Sequence, residues 1–328
     1  MNILVTGSSG HLGEALVRTL RNLGNQVTGL DIKPAPYTDI VGDIAIKSDV
    51  EKAAIGAEAI IHAATLHKPH VATHAKQDFI DTNVTGTLNL LEAASAINTK
   101  AFILTSTTST FGDAMKNNPG EPAVWIDEDV VPKPKNIYGV TKLAAENLCE
   151  LFHRNAKINC IILRTSRFFP EEDDKKERRE AFSGDNLKVN EIFYRRADIA
   201  DMVSAHLCAL DRAAAIGFGK YIISGDTPFQ KSDLVQLGTD AKSVIAQYYP
   251  EYPEIYARLN WQMFSSIDRV YCNQKAKREL LWSPKYTFGY ILNRLEQGLP
   301  YQSELALEVG SKGYHDRTFS HGPYPVEE

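Results

Sequence analysis

The opening of the chain constrains the fold more than any other stretch. Asn2-Ile3-Leu4-Val5 is a short apolar run suited to a buried strand. It passes directly into Thr6-Gly7-Ser8-Ser9-Gly10-His11-Leu12-Gly13, which starts an amphipathic run ending near Leu23. A strand that turns this abruptly into a helix needs residues without side chains. Gly7 permits the tight turn, Gly10 lets the backbone approach a pyrophosphate, and Gly13 lets the helix pack close to the sheet. Ser9, His11 and Leu12 fall in the same turn, where the first helical N–H groups and the positive end of the helix dipole face phosphate oxygens. A glycine-rich turn alone is weak evidence. Its place between a first strand and a first helix selects the dinucleotide reading.

The pattern continues in the same style. Strand-like runs Val27–Leu30, Ala59–His62, Phe102–Leu104 and Cys160–Leu163 alternate with helical runs near 49–54, 78–97 and 138–155. Leu88, Leu91 and Ala94 recur at the spacing of a buried helix face. Short buried strands alternating with helices predict right-handed βαβ units and a parallel sheet covered on both faces. The expected class is α/β: a Rossmann-type doubly wound sheet with a smaller, mainly helical C-terminal substrate domain. Residues 1–166 form the dinucleotide domain, and 196–224 return to it. Residues 167–195 and 225–310 form a cap, and 311–328 an irregular tail containing Tyr314, His315 and His321.

Bulk properties exclude several classes. The 328 residues are 43% hydrophobic and 23% charged, with a net charge of -5. No basic excess points to nucleic acid or an anionic membrane surface. No apolar run reaches the roughly 18 residues of a membrane span. No basic stretch precedes the first strand, so no secretory signal is expected. Cys149, Cys160, Cys208 and Cys272 are scattered and read as free thiols in a reducing cytoplasm. The histidines His62, His67, His70 and His74 form a loose group without a helical His-x-x-x-His and neighbouring Glu, so a polar loop is expected there and no metal site.

The second strand ends at Leu30-Asp31. A carboxylate there takes the adenosine ribose hydroxyls and repels a 2′-phosphate, which favours NAD over NADP, although Lys33 two residues on partly offsets that charge. Ile32 lies beside it, and Asp43-Ile44 would meet the adenine. Catalytic chemistry is expected at the C-terminal ends of the later strands. The fourth long strand ends Thr105-Ser106-Thr107-Thr108-Ser109, and a later helix begins Tyr138-Gly139-Val140-Thr141-Lys142. An i, i+4 pair shares a helix face, so Lys142 stands beside Tyr138. A phenol has a pKa near 10 in water, and a neighbouring ammonium and a positive nicotinamide are expected to lower it. Tyr138 then takes the proton of a substrate hydroxyl while hydride leaves the carbon. Lys142 holds the nicotinamide ribose and Thr107 orients the substrate oxygen.

The Gly7–Gly13 turn, Asp31, His62-Ala63-Ala64, Asn83-Val84-Thr85-Gly86-Thr87, the Ser106-Thr107 strand end and Tyr138-x-x-x-Lys142, in this order, resemble the extended short-chain dehydrogenase/reductase family, the NAD-dependent epimerase/dehydratase group. The likeness covers about the first half of the chain and continues more weakly through Arg195-Arg196-Ala197-Asp198-Ile199-Ala200. It implies NAD at the glycines, Tyr138 as general acid/base, Lys142 on the ribose and Thr107 in the Ser/Thr role. Ala63, Ala64 and Thr65 would line the pyrophosphate and ribose, Thr105 and Thr165 the nicotinamide end, and Asn83 would be structural or near the cofactor. Members often pair through the two helices corresponding to 78–97 and 138–155, so a homodimer is expected.

Departures from the family narrow the substrate. Sugar-nucleotide 4,6-dehydratases carry Asp-Glu after the catalytic Thr. Here Thr108 and Ser109 stand there and cannot expel water. Where many nucleotide-sugar members carry an Asn after the fifth strand, this chain has Arg167. Arg167 either takes a substrate carboxylate or phosphate, with Arg195 adding to it, or pairs with Glu171 or Asp173. His67 and Thr108 are further candidates for polar substrate contacts. The charged run Glu171–Arg179 reads as a solvated loop, with a mobile lid as the alternative. The leading expectation is an NAD-dependent oxidoreductase acting on a secondary hydroxyl of a small polar sugar or sugar acid. A nucleotide-sugar epimerase with tightly bound NAD and a non-catalytic NAD-sensing module are the alternatives.

Overall fold

The computed structural model describes residues 1–313, His315 and Phe319; Tyr314 and His321 of the tail lie outside the described residues. Seven parallel strands form the central sheet: β1 (Asn2–Thr6), β2 (Gln26–Asp31), β3 (Ile40–Val41), β4 (Ala59–His62), β5 (Ala101–Thr107), β7 (Cys160–Thr165) and β8 (Phe218–Ile223). A separate parallel pair joins β6 (Val124–Ile126) to β9 (Arg269–Tyr271), and the sequence reading did not anticipate it. The sheet order is β3-β2-β1-β4-β5-β7-β8. The chain therefore winds outward from β1 in one direction and then, from β4, in the other. The crevice between the C-terminal ends of β1 and β4 is where such sheets receive ligands.

Both faces are covered, as parallel strands require. Helices α1 (His11–Asn22) and α8 (Ile199–Ile216) pack on one face with Ile3, Val5, Ile61, Ile103, Ile161 and Leu163. On the other face lie α2 (Lys47–Ala53), α4 (Gly86–Ala96) and α5 (Ile137–Ala156), packing on Leu4, Ile60, Phe102 and Ile162. On α4 the buried row includes Leu90, Leu91 and Ala94, while Leu88 is only half-buried. The short helix α3 (Lys76–Phe79) runs into α4 through a π-helical stretch, Ile80–Thr85, that carries Asn83. Such widened turns recur at functional sites.

A third core stands apart from the sheet. It holds Leu187, Phe193 and Tyr194 with Phe229, Leu237, Ile245, Tyr256, Phe288 and Leu292. Helices α6 (Lys176–Ala181) and α7 (Gly184–Glu191) lead into it. Aromatic edges do much of the packing: Phe193 meets Phe288 at 4.7 Å and Phe229 at 5.5 Å between ring centres. The later helical runs lie at 234–237, 241–248, 252–259, 274–279, 288–296 and 304–309, in the region expected to be mainly helical. Among the described residues no helix is long and apolar enough to cross a membrane.

Candidate active site

The turn after β1 is closed to side chains. Gly7 has φ near 75°, and a Cβ on it would lie 2.7 Å from the Ala64 backbone nitrogen. A Cβ on Gly13 would lie 1.8 Å from the Gly7 carbonyl oxygen. The Asp31 carboxylate at the end of β2 accepts from the Ser9 N–H at 2.9 Å and the Lys33 N–H at 3.0 Å, which fixes it beside the same turn. Asp43 is held in turn by its N–H on the Asp49 carboxylate at 2.9 Å, while Ile44 is buried under α4. His11 is buried at the head of α1, its ring 3.7 Å from the Glu171 carboxylate, and burial lowers its pKa.

A relay of hydrogen bonds sets the next wall. Burial keeps His62 neutral, well below the usual histidine pKa. Its Nδ1 meets Thr6 Oγ1 at 2.8 Å and its Nε2 meets Thr87 Oγ1 at 3.0 Å, while the Thr87 hydroxyl donates to the Asn83 carbonyl at 2.7 Å. The Ala64 N–H donates to Thr6 Oγ1 at 3.2 Å, so Ala63 and Ala64 are tied to β1. Asn83 clamps the following loop. Its Oδ1 accepts from the Thr65 hydroxyl and the Leu66 N–H, and its Nδ2 donates to the Leu66 carbonyl and to Thr141 Oγ1. All its hydrogen-bonding capacity is spent inside the protein. Of its two expected roles these bonds support the structural one.

Helix α5 is capped by the Asn136 side chain, which accepts from the Gly139 N–H at 3.1 Å. The cap sets Tyr138 in the first turn, against the end of β5. Tyr138, Thr107 and Thr108 line one cleft of about 760 Å³ together with the glycine turn, Asp31, Asp43 and Ala64. The Thr107 hydroxyl accepts from the Ser109 N–H at 3.1 Å and also interacts with the Tyr138 phenol. Burial pushes the Tyr138 pKa up to about 12, against the downward pull of Thr107. This corrects the expected lowering, because burial penalises the phenolate more than its neighbours repay. Burial likewise lowers Lys142 to about 8, and its ammonium makes no hydrogen bond with the described residues. Lys142 sits behind Tyr138 and outside the cleft lining.

Below them Glu146, four residues on from Lys142, is fully buried. It accepts from Ser106 Oγ at 2.6 Å and forms a two-pronged ion pair with Arg164, whose Nη2 lies 2.7 Å away. Thr165 Oγ1 donates to the Ser106 carbonyl at 2.9 Å, and the Thr105 hydroxyl meets His206 at 2.8 Å. Sequence reading missed Glu146, although a carboxylate on the buried face of a helix was a visible signal.

At the far end of the cleft the charged run Glu171–Arg179 is a solvated segment only in part: Glu172, Lys175, Lys176 and Glu177 are exposed, whereas Asp173 is buried and Glu171, Asp174, Arg178 and Arg179 are half-buried. Arg167 pairs with Asp173, with Asp174 at 2.8 Å and with Glu191 at 3.2 Å. Of the two expectations for Arg167, the structure shows the ion pair, and extends it to Asp174 and Glu191. Arg195 pairs with Glu191, Arg196 Nε lies 2.9 Å from it, and Lys68 pairs with Asp174. These four basic residues also line the cleft, with His67, Met115, Arg269 and Tyr271. No sequence signal pointed to Glu191 as the shared counterion. The rings of His67, His70, His74 and His315 stack edge to edge at the cleft mouth, and no group of three ligands among the described residues is placed for a metal ion.

The features at the near end fit a dinucleotide: a turn that excludes side chains, a carboxylate beside that turn, and a buried ammonium that makes no hydrogen bond among the described residues.

Residues 3–223 match the model of the NAD dependent epimerase/dehydratase family. A dTDP-glucose 4,6-dehydratase of Streptomyces niveus is 31% identical over 191 residues, 52% of this chain and 55% of that protein. A uronate dehydrogenase of Pseudomonas putida is 25% identical over 175 residues, 52% of this chain and 62% of that protein. The chain spans about half the length of the curated relatives it matches. A short-chain dehydrogenase/reductase superfamily protein of Agrobacterium tumefaciens, solved with bound NAD, shares the fold with a TM-score of 0.64 at 24% identity, over 94% of this chain and 99% of its own.

Proposed function

Since the chain belongs to the NAD-dependent epimerase/dehydratase family and NAD is its cofactor, we propose that it oxidises or reduces a secondary hydroxyl of a sugar or sugar acid. The observation that carries this reading is the Tyr138–Thr107 pair at the strand ends, with the buried Lys142 ammonium four residues on along the same helix. The glycine turn would hold the pyrophosphate, Asp31 the adenosine ribose and Lys142 the nicotinamide ribose. Bound there, the nicotinamide supplies the hydride acceptor.

The chain's own residues then do the following. Thr107 holds the substrate hydroxyl against the phenol. Tyr138 takes the hydroxyl proton in oxidation and returns one in reduction. A phenol left near 12 by burial, with Lys142 already in place, is a poor base at neutral pH, so the lowering would come from the positive charge of the bound cofactor ring. Thr108 and Ser109 carry no carboxyl group, so elimination of water is not part of this reading. The uronate dehydrogenase similarity and the basic far end of the cleft both support an acidic sugar.

Residues 1–166 with 196–224 serve as the dinucleotide domain and the remainder to 310 as the cap. The protein works in the cytoplasm as a homodimer paired through α4 and α5, where Val140 and Leu151 are exposed. Sedimentation at micromolar concentration reads the pairing directly.

Purified protein is to be screened for NADH release over sugars, sugar acids and nucleotide sugars. A free sugar acid giving one NADH per product supports the dehydrogenase. Retained NAD with no NADH release, and interconversion of two sugars, would turn the reading to an epimerase. Tyr138→Phe should lower kcat by about 10²- to 10⁴-fold and leave NAD affinity unchanged.

A further inference from the structure

The far end of the cleft has a rigid part and an irregular part, and they carry opposite charge. The arginines are on the rigid part. The Arg167 N–H donates to the Arg195 carbonyl at 3.2 Å, and the Ala197 N–H donates to the Arg167 carbonyl at 2.9 Å, so the two segments are tied backbone to backbone. Glu191, fully buried at the end of α7, is their fixed counterion, held well below the usual carboxylate range against its own burial by Arg195, Arg167 and Arg196. Asp173 and Asp174 are different. They sit between β7 and α6 on a turn with no regular structure, and reach Arg167 and Arg195 through their side chains, while the Asp173 carbonyl accepts from Arg179.

Unmet hydrogen bonds count against this being the final arrangement. Arg167, Arg178, Arg195, Arg196 and Lys68 face Glu191, Asp173 and Asp174. Arg195 Nε and Arg178 Nη1 are buried with no hydrogen-bond partner among the described residues, although Arg178 Nη1 lies 3.6 Å from the Glu191 carboxylate. A buried guanidinium N–H without an acceptor costs free energy that a correctly placed oxyanion recovers. All of these residues except the buried Glu191 line the same cleft as Tyr138 and Thr107.

We propose that Asp173 and Asp174 are a built-in stand-in for the substrate's own anion. They occupy Arg167 and Arg195 until a doubly charged oxyanion on the substrate, a phosphate monoester or a dicarboxylate, displaces them and turns the 171–175 segment outward. The displacement exchanges two carboxylates for one dianion and keeps the charge balance around Glu191. It also makes the site selective: a neutral substrate cannot release the aspartates, and a single carboxylate replaces only one of them. This rests on the proposed oxidoreductase reading and names the class of substrate for it.

The test uses the full chain loaded with NAD, titrated calorimetrically with inorganic phosphate, malonate and acetate. Wild-type protein should bind phosphate or malonate and prefer either to acetate; which of the two binds tighter identifies the source of the dianion. The double variant Asp173→Asn/Asp174→Asn should bind that dianion at least about tenfold tighter, and Arg167→Gln should lose it. An unchanged or weaker affinity in the double variant overturns the proposal. If that variant does not fold, hydrogen exchange on wild-type protein decides: faster exchange at 171–175 on adding the dianion supports displacement, and slower or unchanged exchange overturns it. Tyr138→Phe should bind the dianion like wild type. Full turnover by Tyr138→Phe would sink the oxidoreductase reading while leaving the anion result standing.

Discussion

The two ends of the cleft are built by different means. The dinucleotide end is made of backbone: a turn whose glycines leave no room for a Cβ, free N–H groups at the head of α1, and one carboxylate held by two backbone donors. The substrate end is made of long charged side chains from separate segments, Lys68, Arg167, Asp173, Asp174, Glu191 and Arg195, which position one another. Backbone geometry admits few sequences. A network of ion pairs admits many, and its members can be exchanged as sets. The first end is thus suited to a cofactor shared by a whole family and the second to a substrate that differs among its members.

Substitutions at each end separate these two modes of construction. Gly13→Ala should have the largest effect, because its methyl group would meet backbone and not a movable side chain. We expect NAD binding to fall below detection and the fold to lose about 3 kcal/mol or more, read by calorimetry and denaturant titration. Glu191→Gln should come next. It leaves the surrounding arginines without their shared counterion and should cost about 3–5 kcal/mol in stability, with NAD affinity changing less than about twofold. A large loss of NAD affinity would show that the two ends are not independent. In the parent protein the Glu191 carboxyl is held low in the folded state, so its contribution is complete above the unfolded carboxyl pKa and is lost as pH falls below it. The variant should therefore lack part of the acid-side loss of stability.

Lys142→Met should have the smallest effect, and of opposite sign. Burial lowers the lysine to about 8 from its ordinary 10.5, so the unfolded chain holds the proton more tightly. The parent protein's stability should rise with pH between those values, and the variant should lack that rise. Below pH 8 the variant should be more stable by up to about 3 kcal/mol, seen as a higher Tm, while turnover falls. A lower Tm would mean that the ammonium is stabilised by something other than bound cofactor.

Legibility followed the same division. Gly7, Gly10, Gly13 and Asp31 could be read from spacing because each answers a local geometric demand within one βαβ unit. Tyr138 and Lys142 share a helix face for the same kind of reason. The partners of Arg167 could not be read this way. Asp173 is six residues away and its side chain can point anywhere, while Glu191 reaches Arg167 only because α7 folds back. The β6–β9 pair joins segments far apart in the chain, and three-residue strands leave no periodic trace. The Tyr138 pKa went the other way from expectation because burial, a tertiary quantity, outweighed the charge that sequence spacing makes visible.

The ion pair between Glu146 and Arg164 has a mechanical consequence. It rivets α5 to the undersides of β5 and β7 at a depth no solvent reaches. The position of the phenol is then set by α5 and the sheet, independently of the side chains at the far end of the cleft.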